Sequence, residues 1–415
     1  MINRTSYVEI YSKWMLLIGS LFLFAPNNLS FKHGLVFILL ITLLFYPLVI
    51  LRDKKKFSID IRLPRKISSW VLFLLILVEF ALADYAARFY TGSGLLEAIL
   101  NLISGESNYY NYQNHFAENK LSGLTLEKIP AIIAAAAVKG LYLFIISIFF
   151  LYRNKQKPRY FLLLCIIPLI LFSIARGTFF EVFEITLSIF YFHKITSTKP
   201  SQSLITRIRN NLYLAVSFVL LTFLFSLNAA SRYEDKSSFL EKTCSVGDFC
   251  FTPYTSFTTF EHSIYFLSGY FSTGLYFITQ YILLLFDGKL LSSLIPFVTL
   301  STFNIDKIGL TADLCNNYID CGVAWQPDLF YWFSFFGLIL CLFIFPICFY
   351  YLIKLEKILL ENLNLYSLPL AYLLLVYLIS IPVGNFFTTS SSSYICAIVF
   401  TILWSARRKK RNPLT

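Results

Sequence analysis

Residues 160–178 read YFLLLCIIPLILFSIARGT, an apolar run from Phe161 to Ala175 that stops on Arg176, Gly177 and Thr178. Such a run, as helix, spans about 22 Å, short of the roughly 30 Å hydrocarbon core of a bilayer. The arginine that ends it should therefore sit inside one leaflet. A guanidinium there is expensive and turns to a cavity, a charged ligand or a carboxylate.

The rest of the chain has the same character. Of 415 residues, 57% are hydrophobic, 18% aromatic and only 14% charged. Average soluble domains carry about 25% charged residues, so a water-soluble globular protein is excluded. Disorder is excluded as well, because low hydrophobicity is its precondition. Apolar runs of spanning length recur near 12–30, 34–51, 67–85, 131–151, 160–176, 178–193, 211–230, 328–352, 365–385 and 391–406. They are continuous instead of alternating, which predicts helices that satisfy their own backbone and argues against a membrane barrel. The expected fold is all-α: a polytopic integral membrane helical bundle of about ten transmembrane helices, or twelve on a second reading of one loop.

The formal charge of +12 is a topological signal. Arg4 and Lys13, seven basic residues in 52–66, four each in 153–159 and 194–209, Lys354 and Lys357, and the tail Arg407 to Arg411 all fall on one side of the ten-span arrangement. By the positive-inside rule that side is cytoplasmic, with both termini inside, so this excess of positive charge does not imply nucleic acid. Three units follow: an N-terminal membrane bundle over 1–230 with an outer loop at 86–130, a large outer loop over 231–327, and C-terminal spans with a basic tail over 328–415. The first span lacks a small-residue cleavage site and is expected to be retained.

Segment 86–130 is polar and rich in tyrosine (Tyr109, Tyr110, Tyr112), as suits a small folded cap. Segment 231–327 contains two apolar stretches, Ile264 to Phe286 and Leu290 to Phe303, separated by Asp287-Gly288-Lys289. A re-entrant or interfacial pair is the preferred reading, since the second stretch is short and carries Pro296; a transmembrane hairpin would raise the count to twelve. Cys165, Cys341, Cys348 and Cys396 fall in spans, where a thiol packs as a small apolar group. Cys244, Cys250, Cys315 and Cys321 share the outer loop, and local bridges 244–250 and 315–321 are the simplest pairing. Zinc does not suit these gaps.

No Walker loop, dinucleotide fingerprint, His-Glu-x-x-His or Asp-x-Asp is present, so no metal or cofactor is expected and any chemistry must draw its energy from the substrate. The ionisable residues within spans cluster toward the outer face. Arg176 is the sharpest candidate: a guanidinium at headgroup depth matches a phosphate in geometry and charge, the competing reading being a structural pair with Glu181 or Glu184. Arg232, which follows Ser231 at the outer end of the seventh span, is a second phosphate ligand or a flanking charge paired with Glu234. Arg88 is a weaker third. Lys139 either lines the same cavity or snorkels. Glu261 and His262 are the candidate general base, or else cap the helix that starts beside them.

Taken together, the basic-inside layout, the span ending Ala175-Arg176-Gly177 with a short returning span, Ser231-Arg232, and the run Ser268-Gly269-Tyr270-Phe271-Ser272-Thr273-Gly274-Leu275-Tyr276 resemble the bacterial Wzy-type polymerases of O-antigen and capsule assembly. The resemblance implies a metal-independent glycosyltransferase of the inner membrane, with no cofactor, acting at the periplasmic face on undecaprenyl-diphosphate-linked oligosaccharide. Membrane lipids, a chain-length regulator and a flippase would be its partners. Arg176, Arg232 and Arg88 would hold the lipid diphosphate, Glu261 or His262 would act as base, and Tyr270 and Tyr276 would contact sugar. Two other readings stand beside it: an O-antigen ligase, and a transporter or flippase for lipid-linked oligosaccharide. The transporter predicts charged residues in the middle of the spans.

Overall fold

A computed structural model describes residues 6–24, 31–50, 60–61, 67–104, 106–119, 126–152, 160–178, 180–196, 244–246, 249–250, 259–289, 291–297, 299–300, 305–306, 309, 313, 317, 327–384 and 390–409. These are almost entirely helical: α1 Ser6–Phe24, α2 Phe31–Ile50, α3 Ser69–Thr91, α4 Leu95–Ser104, α5 Asn108–Glu118, α6 Ile129–Leu151, α7 Tyr160–Ala175, α8 Phe180–Thr196, α9 Thr259–Phe286, α10 Asp328–Phe336, α11 Leu338–Glu361, α12 Ser367–Ser380 and α13 Ser391–Lys409. Segments Ser69–Thr91, Leu126–Leu151 and Leu338–Glu361 are long and apolar enough to cross a membrane. The run at 211–230 lies outside the described residues.

Local chemistry sets the boundaries. α3 outlasts its apolar run: Ser68 caps its start by accepting from the Val71 N–H, and Gly92, left-handed at φ 74°, closes its end on the Arg88 carbonyl. The run at 328–352 is broken in two at Gly337 (φ 72°), whose missing side chain leaves room for the Leu294 carbonyl. α9 ends on Asp287-Gly288-Lys289, where the Gly288 N–H reaches Leu285 O and the Lys289 N–H reaches Leu284 O. That is the paired-carbonyl cap glycine permits.

Cross-links between helices fix their directions. Lys194 pairs with Glu9 at 2.9 Å, Glu356 accepts from the Tyr7 N–H at 3.1 Å, and the Trp14 indole donates to Ile379 O at 2.8 Å. Arg407 lies over the Tyr366 ring, and Asp60–Ile61 pairs in parallel with Asn362–Leu363. One end of the bundle thus gathers the basic flanks of α8, α11 and α13. The opposite end carries α4 and α5, which fold back on α3 and α7. Asn108 binds Ala98 O there, and His115 binds Phe89 O.

The expected pair of re-entrant or interfacial helices does not form as a pair, because only the first stretch is a long helix. Ile264 to Phe286 is part of one continuous helix of 28 residues, about 42 Å long, packed along α1 and α2. Ser268, Ser272 and Tyr276 recur on one buried face, and Gly274 lets the Val383 carbonyl approach the helix backbone. The second stretch forms a short turn at Leu291–Leu294 and a two-residue ribbon, Thr299–Leu300 against Ile305–Asp306, because Pro296 and its neighbours cannot continue a helix. Cys244 and Cys250 are direct backbone partners across another small ribbon, the register a local bridge requires. Cys315 and Cys321 lie outside the described residues.

Candidate functional site

Ala175-Arg176-Gly177 works first as a helix stop. The Gly177 N–H reaches Ile174 O at 2.9 Å and the Thr178 N–H reaches Ser173 O at 3.0 Å, the double cap that needs a left-handed residue. Gly177 supplies it at φ 60°. Arg176 is thereby the last residue before the turn, where a cation meets the negative end of the α7 dipole. Glu181 stands in the first turn of α8, where an anion meets the positive end. The guanidinium Nη1 donates to Glu181 Oε1 at 2.5 Å, and the Thr178 hydroxyl donates to Oε2 at 3.1 Å. Of the two carboxylates that the structural reading offered Arg176, Glu181 is the one it meets.

The pair is asymmetric in exposure: Glu181 is 9% exposed and Arg176 30%. The guanidinium also lies 5.7 Å from the Tyr112 ring and 5.6 Å from that of Phe172. It therefore presents an accessible, aromatic-flanked cation beneath the cap helix α5. A Cβ on Gly177 would fall 2.6 Å from the Tyr109 backbone nitrogen. Gly177→Ala should then cost about 1–2 kcal/mol from the left-handed backbone alone and more from displacing α5. A melt of the detergent-purified variant matching wild type would show that α5 does not dock on this turn.

A second ion pair sits beside the first. Lys139 of α6 reaches Glu184 Oε1 of α8 at 2.5 Å and donates to Ser393 Oγ of α13 at 2.7 Å, with both charged side chains under 10% exposed. Lys139 therefore turns into the bundle and does not snorkel. Tyr372 donates to the Glu184 carbonyl, the Tyr142 and Ser188 hydroxyls are 2.7 Å apart, and the Ser393 hydroxyl meets that of Ser390. Two cations, two carboxylates and a set of hydroxyls are thus gathered where α6, α7, α8 and α13 meet.

The other sequence candidates fall elsewhere. Arg88 is exposed and organises the α3–α4 turn, binding Asp84 at 2.8 Å while Glu97 lies 4.0 Å away. Tyr276 is buried and stacks on His33, so it is a packing residue of α9 and presents no open face to a sugar. Tyr270 is in the same helix, with its side chain outside the described residues, as are those of Glu261 and His262. Arg232 lies outside them altogether. The direction of α9 separates Glu261 and His262 from Arg176: Phe271 packs on Trp14 and Phe183, while Asp287 approaches Lys32 at the α1–α2 turn. Residue 261 is then about 15 Å from Phe271 toward the basic end. Arg176 lies on the other side of Phe183.

Sequence reasoning passed over Glu181 and Glu184 as anything but partners, and missed Glu79. The last is fully buried near the middle of α3, away from the outer clustering expected for ionisable residues. Its signal was plain: a carboxylate in the middle of an apolar span. Against known proteins, the chain matches no family model, no curated protein and no solved structure.

Proposed function

We propose that the chain is a multi-pass inner-membrane glycosyltransferase that polymerises polyprenyl-diphosphate-linked oligosaccharide repeat units at the outer face. Its ten or so spans would hold the basic loops and both termini in the cytoplasm. The observation that carries this reading is the Arg176–Glu181 pair, half open beneath α5, with Lys139–Glu184 beside it.

In the proposed reaction the hydroxyl oxygen of one repeat unit attacks the anomeric carbon of another. The bond from that carbon to the diphosphate oxygen breaks, and its electron pair leaves with the diphosphate. Arg176 meets the departing charge through the donors Glu181 does not occupy; such preorganised donors contribute more to the transition state than to the ground state. Glu181 takes the hydroxyl proton, in place of Glu261 or His262. Lys139 supports the field from within the bundle, and no metal is required because the lipid diphosphate is already a leaving group.

The transporter reading has one observation in its favour: Glu79 and the Lys139–Glu184 pair place ionisable groups inside the bundle. A deletion strain separates the readings. Polymerase loss leaves single repeats attached to lipopolysaccharide or capsule precursor, ligase loss leaves lipid-linked polymer unattached, and transporter loss strands unpolymerised lipid-linked units in the cytoplasm. Either of the last two outcomes would reject the polymerase.

A further inference from the structure

Three buried acids among the described residues play no part in the proposed transfer, and of these Asp328 and Glu356 accept hydrogen bonds from Ser380 and the Tyr7 N–H, whereas Glu79 does not. Both of its carboxyl oxygens are shut off from solvent and lack a hydrogen-bond partner among the described residues. It faces Tyr142 on α6 and Cys165 on α7 closely enough to act on each electrostatically, and no lysine, arginine or histidine among the described residues pairs with it. An ionised carboxylate so placed loses its hydration with nothing in return. A bound proton removes that cost.

The same neighbourhood supplies a route. Tyr142, beside Glu79, shares a hydrogen bond with Ser188, and Ser188 is one helical turn from Glu184 on the same face of α8. Hydroxyls thus lie between the buried acid and the Lys139–Glu184 pair.

We propose that Glu79 is a proton-binding site in the interior of the bundle, loaded and emptied through Tyr142 and Ser188 toward the Arg176 cluster. Each transfer breaks one O–H bond and forms another. Glu79 first turns to reach Tyr142, since the two are not hydrogen-bonded. Its proton then passes to the Tyr142 oxygen as Tyr142 gives its own to Ser188 and Ser188 gives its own to the Glu184 carboxylate, and loading is the reverse. No oxidant or co-reactant is involved. The site does not depend on the transferase reading, because an exchangeable interior proton would serve a transporter equally.

The test uses the full-length protein in lipid nanodiscs at neutral pH. Dicyclohexylcarbodiimide, which partitions into apolar regions and reacts with protonated carboxyls, should leave an adduct on the Glu79 peptide, while a water-soluble carbodiimide should not. The infrared difference between wild type and Glu79→Gln should contain a protonated-carboxyl band that shifts in D2O, with Tyr142→Phe slowing that shift several-fold. Carboxylate bands at Glu79, absence of the hydrophobic adduct, or exchange unchanged in Tyr142→Phe would each overturn the proposal. The labelling is read on wild type, so it stands even if a variant fails to fold.

Discussion

Arg176→Ala should abolish growth of long chains from lipid-linked repeats, with the rate falling about 10²–10³-fold, the loss typical of removing one preorganised electrostatic donor. The measurement is in vitro polymerisation by purified membranes, with protein level checked by blot. Truncation also strips Glu181 of its partner, and an unpaired buried charge costs about 3–5 kcal/mol. Two companions separate chemistry from folding. Arg176→Lys keeps the charge and should restore the fold but only part of the rate, since an ammonium lacks the bidentate fork. Arg176→Ala combined with Glu181→Gln removes the stranded charge and should recover the fold, read as protein level and thermal midpoint; its activity is not informative because the base is lost with it. Long chains made by Arg176→Ala membranes would sink the phosphate role.

Lys139→Met should be the most destabilising single change in the bundle. Glu184 and Lys139 are both under 10% exposed, so removal of the lysine leaves a carboxylate in the interior, again at about 3–5 kcal/mol. The thermal midpoint in detergent should drop sharply and protease sensitivity rise. Lys139→Met with Glu184→Leu should recover most of the stability, because a buried ion pair is often neutral against an apolar pair of similar volume. Activity should not return with it if the pair contributes field to the site. A single mutant that melts like wild type would mean that water reaches Glu184.

Much of the architecture was legible because it rests on local rules. The predicted span 131–151 forms α6 within two residues, and 391–406 forms α13 with three more at its end. Gly177 stops α7 where the sequence changes character, since only a left-handed residue completes that cap. The segment after 230 was harder. Its composition favoured a re-entrant or interfacial pair over a transmembrane hairpin, yet one long helix forms there, held where Gly274 admits the Val383 carbonyl and Tyr276 stacks on His33 of α2.

The candidate site divides in the same way. That Arg176 lies within an apolar setting and must be compensated follows from the length of the run before it. Which group compensates it does not: Glu181 and Glu184 are three residues apart on one helix face, and each finds a different cation, Arg176 on α7 and Lys139 on α6. The same holds for Arg88, which reads like Arg176 in sequence but sits on a turn with Asp84 and Glu97 within reach.

By itself, then, the sequence determined the solvent of this protein, the helical nature of its segments and the positions where charge is costly. Each of these depends on a few consecutive residues and a transfer free energy. Only the tertiary structure decided the partners: Glu181 for Arg176, Glu184 and Ser393 for Lys139, His33 for Tyr276, and none among the described residues for Glu79. Pairing of buried charges is a matter of which helices pack together and in which direction, and residues hundreds of positions apart carry no local trace of it.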